Sequence, residues 1–184
     1  MTLAPRPWAS DIFHLWFHQL GPGDWFTRSG PVDSLLTRRF GGIWQALRKR
    51  PFHEFLRDPL TARAAVLLFD QVPRNIFRNS AQAFASDPLA RSIAREALRR
   101  GWDAELTGPE RQFLAMPLMH SEAIADQLAS LAYYAALGPR FGFGFARAHY
   151  RMIARFGRFP HRNALLARRS TPAERRAVAA GNSW

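Results

Sequence analysis

Apolar positions recur at intervals of three and four residues along most of the chain, and the punctuation between them is that of helix ends. Ser10, followed by Asp11-Ile-Phe-His-Leu-Trp-Phe and closed by Gly21, predicts a short, well-buried first helix with Ser10 as its cap. Leu36, Phe40, Ile43, Trp44 and Leu47 form one stripe of a helix running from about Val32 to Arg48. Asp58-Pro59 opens a third helix reaching about Asp70, apolar all round, which Pro73 disturbs or ends. Asp87-Pro88 repeats that start, with Gly101 as the stop after Arg100. Thr107-Gly-Pro-Glu110 is a capping box for a turn stopping near Pro117, and Thr171-Pro-Ala-Glu174 is a second one for a last helix ending at Gly181. Between them lie Ser121 to Leu137, with Ile124, Leu128, Leu131 and Ala135 on one stripe, and Phe143 to Phe156 before Gly157. No segment alternates as a strand does. The pattern predicts an all-α fold of about seven to eight helices, stacked as antiparallel hairpins in a tetratricopeptide-like right-handed superhelix or gathered into a compact bundle.

Composition narrows the chemistry. With 184 residues, 47% of them hydrophobic, the chain is expected to form one domain spanning 1–184, its first nine residues loosely ordered. There is no cysteine, so disulfides, thiolate metal sites and cysteine nucleophiles are excluded. The amino terminus lacks the apolar core of a secretory signal and no apolar run reaches the length of a membrane span, so the expectation is a cytoplasmic protein with no membrane partner. The formal charge of +12 rests on 26 basic residues, of which all but Lys49 are arginine, alongside much Ala and Pro. Such a bias arises from codon composition as readily as from anion binding. The distribution says more: Arg140 to Arg169 holds eight arginines and no acid.

Three polar clusters exceed the needs of a helical core. In the first, an apolar helix runs into Asp70, Gln71, Arg74, Asn75 and Arg78 around Pro73. The bland reading is a helix end with an Asp70–Arg74 pair at the favoured spacing. The second holds His120, Ser121 and Glu122, continuing to Asp126 and Gln127. Imidazole and carboxylate are the groups that move protons near neutrality, while Ser121 reads as a cap and Glu122 as dipole-stabilised. The third is His149-Tyr-Arg-Met-Ile-Ala-Arg-Phe-Gly-Arg-Phe-Pro-His-Arg-Asn163, with Arg155, Arg158, His161, Arg162 and Asn163 beside Gly157 and Pro160. Arginine recognises carboxylate and phosphate through two parallel donors, so this segment reads as an anion cradle. Its alternative is a corner whose arginines pair with Asp70, Glu122 and Asp126.

Leu68-Phe-Asp-Gln-Val-Pro-Arg-Asn-Ile-Phe-Arg78, Met116-Pro-Leu-Met-His-Ser-Glu122 and Arg155-Phe-Gly-Arg-Phe-Pro-His-Arg-Asn163, with Trp16-Phe17, Trp25-Phe26, Phe84 before Asp87 and Ser170-Thr-Pro-Ala-Glu174, resemble the signature segments of the domain of unknown function 924 family. The resemblance spans about Ile12 to Glu174. Val72 departs from it where the family usually carries Phe, and Ala167 where it more often carries Gly. It implies an all-helical, tetratricopeptide-like bacterial protein without an established role. Because the signatures coincide with the three polar clusters, it also implies one shared pocket.

The function expected is therefore binding of a small anionic ligand in a buried polar pocket. Asp70, His120, Glu122, His149 and His161 are the candidates for proton transfer, and Gln71, Arg74, Asn75, Arg78, Gln127, Arg155, Arg158, Arg162 and Asn163 for ligand contacts. No cofactor is expected, nor a metal: His120, Glu122, His149 and His161 lack the spacing of a helical metal motif. The competing expectations are a helical module that binds an acidic peptide and, more weakly, a nucleic-acid surface at Arg140 to Arg169, which no recognition motif accompanies. Nothing in the sequence sets an oligomeric state.

Overall fold

The computed structural model describes residues 6–182, and among them there is no β-strand. Eight helices of eight residues or more carry the fold: α1 (Pro7–His14), α3 (Gly30–Leu47), α4 (Pro59–Val66), α6 (Asp87–Arg99), α7 (Gly108–Met119), α8 (Ile124–Leu137), α9 (Phe143–Phe156) and α10 (Pro172–Ala179). Two short ones, α2 (Pro22–Trp25) and α5 (Val72–Ile76), complete the set. Residues 1–5 of the segment expected to be loosely ordered lie outside the described residues, whereas Pro7 to Ala9 are already helical. Ser10 is thus inside α1 and exposed, not its cap, because Pro7 at the first turn starts the helix three residues earlier. Gly21 has an extended rather than a left-handed backbone, and its N–H is taken by Asp24 at the start of α2.

Most other helix ends fall where the sequence puts them. Asp58 caps α4 by accepting from Thr61 N–H at 2.7 Å. Gly101, Gly157 and Gly181 follow their helices with left-handed φ values of 70°, 69° and 88°. Two prolines behave otherwise. Pro117 does not stop α7, which runs on to Met119, and Pro73 does not end the third helix. There the helix loosens into a π turn, Leu67–Gln71, before resuming as α5. Pro73 has no N–H for the carbonyl of Phe69, four residues back, and Ser86 Oγ donates to that carbonyl at 2.6 Å while accepting from Trp44 Nε1 at 2.9 Å. Asp70 O, the next carbonyl, takes Arg74 Nη1 at 2.6 Å.

The segment from α4 through the π turn is the axis of the main core, buried from Ala64 to Pro73. Trp16, Trp44, Phe40, Phe55 and Phe113 pack around it. From α6 onward each helix packs on the next, α6 on α7, α7 on α8 and α8 on α9. Small clusters then join α7–α9 through Ala115, Met119, Tyr134 and Ala146, and α9 to α10 through Met152, Ile153, Phe159 and Ala177.

Helix α8 is turned relative to expectation. Ile124 and Leu128 are about half exposed, at 47% and 51%, while Asp126, Gln127, Ser130 and Tyr134 are buried. The polar face goes inward because it has inward partners. Ser121 Oγ donates to Asp126, and Gln127 Nε2 donates to the carbonyls of Met119 and Ser121 at 2.7 and 2.6 Å, satisfying the open end of α7.

Ala167 stands out. Its φ is +53°, a left-handed backbone that closes the turn after Asn163, with Arg168 N–H on Asn163 O at 2.8 Å. An alanine held there costs about 1 kcal/mol that glycine does not. Its side chain is exposed, so nothing is lost by removing it. Ala167→Gly is expected to raise stability by about 0.5–1 kcal/mol in urea unfolding, against the usual penalty for glycine.

Candidate functional site

Asp70 is the centre of a buried polar cluster. The π turn sets its side chain inside the fold, wholly inaccessible, facing the end of α7. His120 Nδ1 lies 2.8 Å from Asp70 Oδ1, Arg74 Nη1 lies 3.3 Å from the same oxygen, and Gln71 Nε2 donates to Oδ2. Burial alone would raise the Asp70 carboxyl, but Arg74 and His120 overcome it and hold it at about 2. The group is therefore a carboxylate, and His120 must donate Nδ1–H to it. That leaves Nε2 of His120 as the basic nitrogen, which makes no hydrogen bond among the described residues. Burial, then Arg74, lowers the His120 pKa, so the ring is neutral at pH 7.

Arg74 is shared. Its guanidinium makes two bonds to Asp87, at 2.8 and 2.9 Å, besides its contacts to Asp70. Asp87 was expected to cap α6; Ser86 occupies the cap position instead, and the Asp87 carboxylate reaches across to Arg74 and, at 3.4 Å, to Arg162. Arg162 is nearly buried, with its guanidinium between the rings of Phe84 and Phe159 at 4.6 and 4.5 Å. Burial, with Arg74 nearby, lowers it to about 10. Arg78 is bound by Asp33 at 2.6 and 2.8 Å and by the Asn75 amide oxygen, while Asn75 Nδ2 donates to Gln71 O.

These groups line one wall of a cleft with two lobes. The first, about 420 Å³, is lined by Trp25, Phe26, Met116, Met119 and Phe145 together with polar groups that include Gln71 and Asn75. The second, about 450 Å³, is lined by Asn79, Phe84, His161, Arg162 and Leu165. Arg28, Arg74, Arg78, His120 and His149 border both. His149 sits on α9 with its ring 6.1 Å from that of His120 and Nδ1 2.8 Å from Phe145 O. Burial takes its pKa to about 3, with His120 adding to the effect, and burial with Arg162 takes His161 to about 4. Both rings are neutral at pH 7.

Five of the residues expected in the shared pocket are elsewhere. Glu122 accepts from Phe159 N–H at 2.8 Å and from both terminal nitrogens of Arg168, which ties the start of α8 to the turn after α9. Gln127 closes the end of α7. Arg158 is bound in parallel by Glu174, at 2.6 and 3.0 Å, and donates to Arg169 O, so it anchors α10. Asn163 is buried against Ser170 Oγ at 3.0 Å. Arg155 is exposed over Phe156. In each case a partner outside the cleft holds the side chain: Arg168 and a backbone N–H for Glu122, carbonyls for Gln127, Glu174 for Arg158, a hydroxyl for Asn163 and a ring for Arg155. Arg28, Asp33 and Phe145, by contrast, enter the site with no warning from their local sequence. Asp87 was hidden by the ordinary look of its cap position, although Ser86 beside it offered a second candidate for that cap. Among the described residues no group of three or more His, Asp or Glu side chains is arranged to hold a metal ion, and no helix is long and apolar enough to cross a membrane.

The family model described as "Bacterial protein of unknown function (DUF924)" matches residues 12–182. The chain belongs to that family. A solved structure of another protein of unknown function, ATU0120 from Agrobacterium tumefaciens, resembles this DUF924 protein with a TM-score of 0.88 and 38% sequence identity, covering 94% of this chain and 97% of that one. None of the curated proteins compared with the DUF924 protein matches it.

Proposed function

We propose that the cleft binds a small anionic ligand and that His120, oriented by Asp70, takes a proton from that ligand or from a water held beside it. The observation that carries this reading is the 2.8 Å contact between a wholly buried Asp70 carboxylate and a neutral imidazole on the cleft wall. A carboxylate on Nδ1 fixes the tautomer and stabilises the imidazolium that forms when Nε2 accepts the proton. A ring that is neutral before reaction and charged after it is what a base requires. The anion would be drawn by Arg28, which has no carboxylate within 4 Å among the described residues, and by Arg162, which shares Asp87 with the better-placed Arg74. In this reading the protein is cytoplasmic, and α6 to α9 form a short tetratricopeptide-like stack that holds one wall of the site.

An acidic protein segment as ligand has less support. The row Arg147, Arg151 and Arg155 is exposed, but it lies on the side of α9 away from His149 and the cleft.

A thermal-shift panel of carboxylate and phosphate metabolites tests the reading. At least one should raise the melting temperature in proportion to its concentration, since a ligand of the native state alone must stabilise it. His120→Gln should still bind that compound and lose roughly 10²–10⁴-fold in its turnover. If no anion shifts the melting temperature, the proposal fails. If His120→Gln turns the compound over as fast as wild type, the role given to His120 fails.

A further inference from the structure

The two lobes differ in chemistry, and the basic nitrogen lies at their border. Trp25, Phe26, Met116, Met119 and Phe145 make the first lobe largely apolar, with methionines able to fit irregular shapes. Phe26 and Phe145 are 58% and 57% exposed, on a loop and a helix more than a hundred residues apart in sequence, and both edge this lobe. Large aromatic side chains left in water beside a cleft mark surface that a partner covers. The second lobe has Arg28, Arg78, Arg162, Asn79 and His161 in its wall. Arg78 is neutralised by two bonds to Asp33; Arg162 has a carboxylate only at 3.4 Å, and its buried Nε has no hydrogen-bond partner among the described residues. The charge of Arg162 is thus only partly compensated on that side, and Arg28, at the border of the two lobes, adds to it. Each lobe lies within the roughly 300–1,000 Å³ of sites for organic ligands, too large for a bare inorganic anion to fill.

From this arrangement we infer the class of ligand: an amphiphilic acid, with an aromatic or acyl body in the apolar lobe and a carboxylate or phosphate head toward Arg28 and Arg162. This rests on the reading of His120 as a base, since the atom that loses the proton then lies between body and head. The apolar lobe supplies affinity through the area it removes from water, and the basic lobe supplies orientation.

Calorimetric titration of the full chain separates these parts. The probes are phenyl phosphate, phenylacetate and octanoate as amphiphilic acids, inorganic phosphate and acetate as heads alone, and benzyl alcohol as a body alone. At least one amphiphilic acid should bind more than about tenfold tighter than its own head and than benzyl alcohol. Phe145→Ala should weaken the amphiphile about tenfold while leaving the bare anion unchanged. Arg28→Ala should weaken both by about tenfold. Both side chains are exposed, so both variants should melt with wild type. If bare heads bind as tightly as amphiphiles, or Phe145→Ala changes nothing, the apolar lobe has no part and this inference falls while the anion site stands. If benzyl alcohol binds as tightly as the acids, the anionic head is overturned. If neither these probes nor the metabolite panel bind, the proposed function falls with it.

Discussion

Asp70→Ala should lower stability by roughly 3–5 kcal/mol in urea unfolding at pH 7, far more than an average substitution. The carboxylate is inaccessible and ties three neighbours, Gln71 and Arg74 from its own helix and His120 from fifty residues away. Removing it leaves a cavity and a half-compensated Arg74 whose remaining carboxylate is Asp87. It also leaves Nδ1 of His120 without its acceptor. Asp70→Asn keeps the volume and an oxygen that accepts from His120 and Arg74, so its cost should be about 1–2 kcal/mol. The difference between the two variants measures the cluster as a unit. Equal, small losses would show that the buried contacts are not what fixes the junction between the π turn and α7.

Acid should unfold the protein earlier than its carboxylates alone would require. His149 and His161 are held by burial at about 3 and about 4, and His120 is lowered in the same direction. In the unfolded chain all three return to about 6.5. Between those values the unfolded state carries more protons than the folded one, so stability is complete above pH 6.5 and falls as the pH drops from 6.5 toward 4. For His149 the loss is on the order of several kcal/mol, with less from the more exposed His161. Asp70 acts in a later window: depressed from 3.8 to about 2, its contribution is present above 3.8 and goes as the pH falls toward 2. A series of urea titrations from pH 7.5 to 4 should thus show a steady decline in the midpoint, reduced in His149→Gln. A flat profile down to pH 5 would mean that the rings are solvated and charged.

What the sequence reveals of this fold follows from where its interactions are local. Capping boxes at Thr107 and Thr171, the Asp58 cap and the glycines after α6, α9 and α10 involve residues within a turn of one another, and all are found as expected. The errors come from partners distant in the chain. Pro73 disturbs its helix, one of the two outcomes expected, but does not end it, and Ser86 satisfies the carbonyl it frees. The apolar stripe of α8 faces outward because Gln127 and Asp126 have buried work at the end of α7. The same distinction divides the candidate site. Asp70, Gln71, Arg74, Asn75, Arg78, His120, His149, His161 and Arg162 do come together, since a helical core has no use for so many polar groups near its prolines. Glu122, Gln127, Arg155, Arg158 and Asn163 carry equally conspicuous chemistry, and each is held outside the cleft by a partner that spacing alone does not identify: Arg168, the end of α7, the Phe156 ring, Glu174 and Ser170.

Nitrogen NMR of histidine-labelled protein at pH 7 reports the protonation of each ring nitrogen of His120, and so whether Asp70 holds it as a base. The expected result is a neutral ring with its proton on Nδ1 and a bare Nε2 whose signal moves when an anionic ligand is added. A proton on Nε2, or a His120 already charged at pH 7, would contradict it.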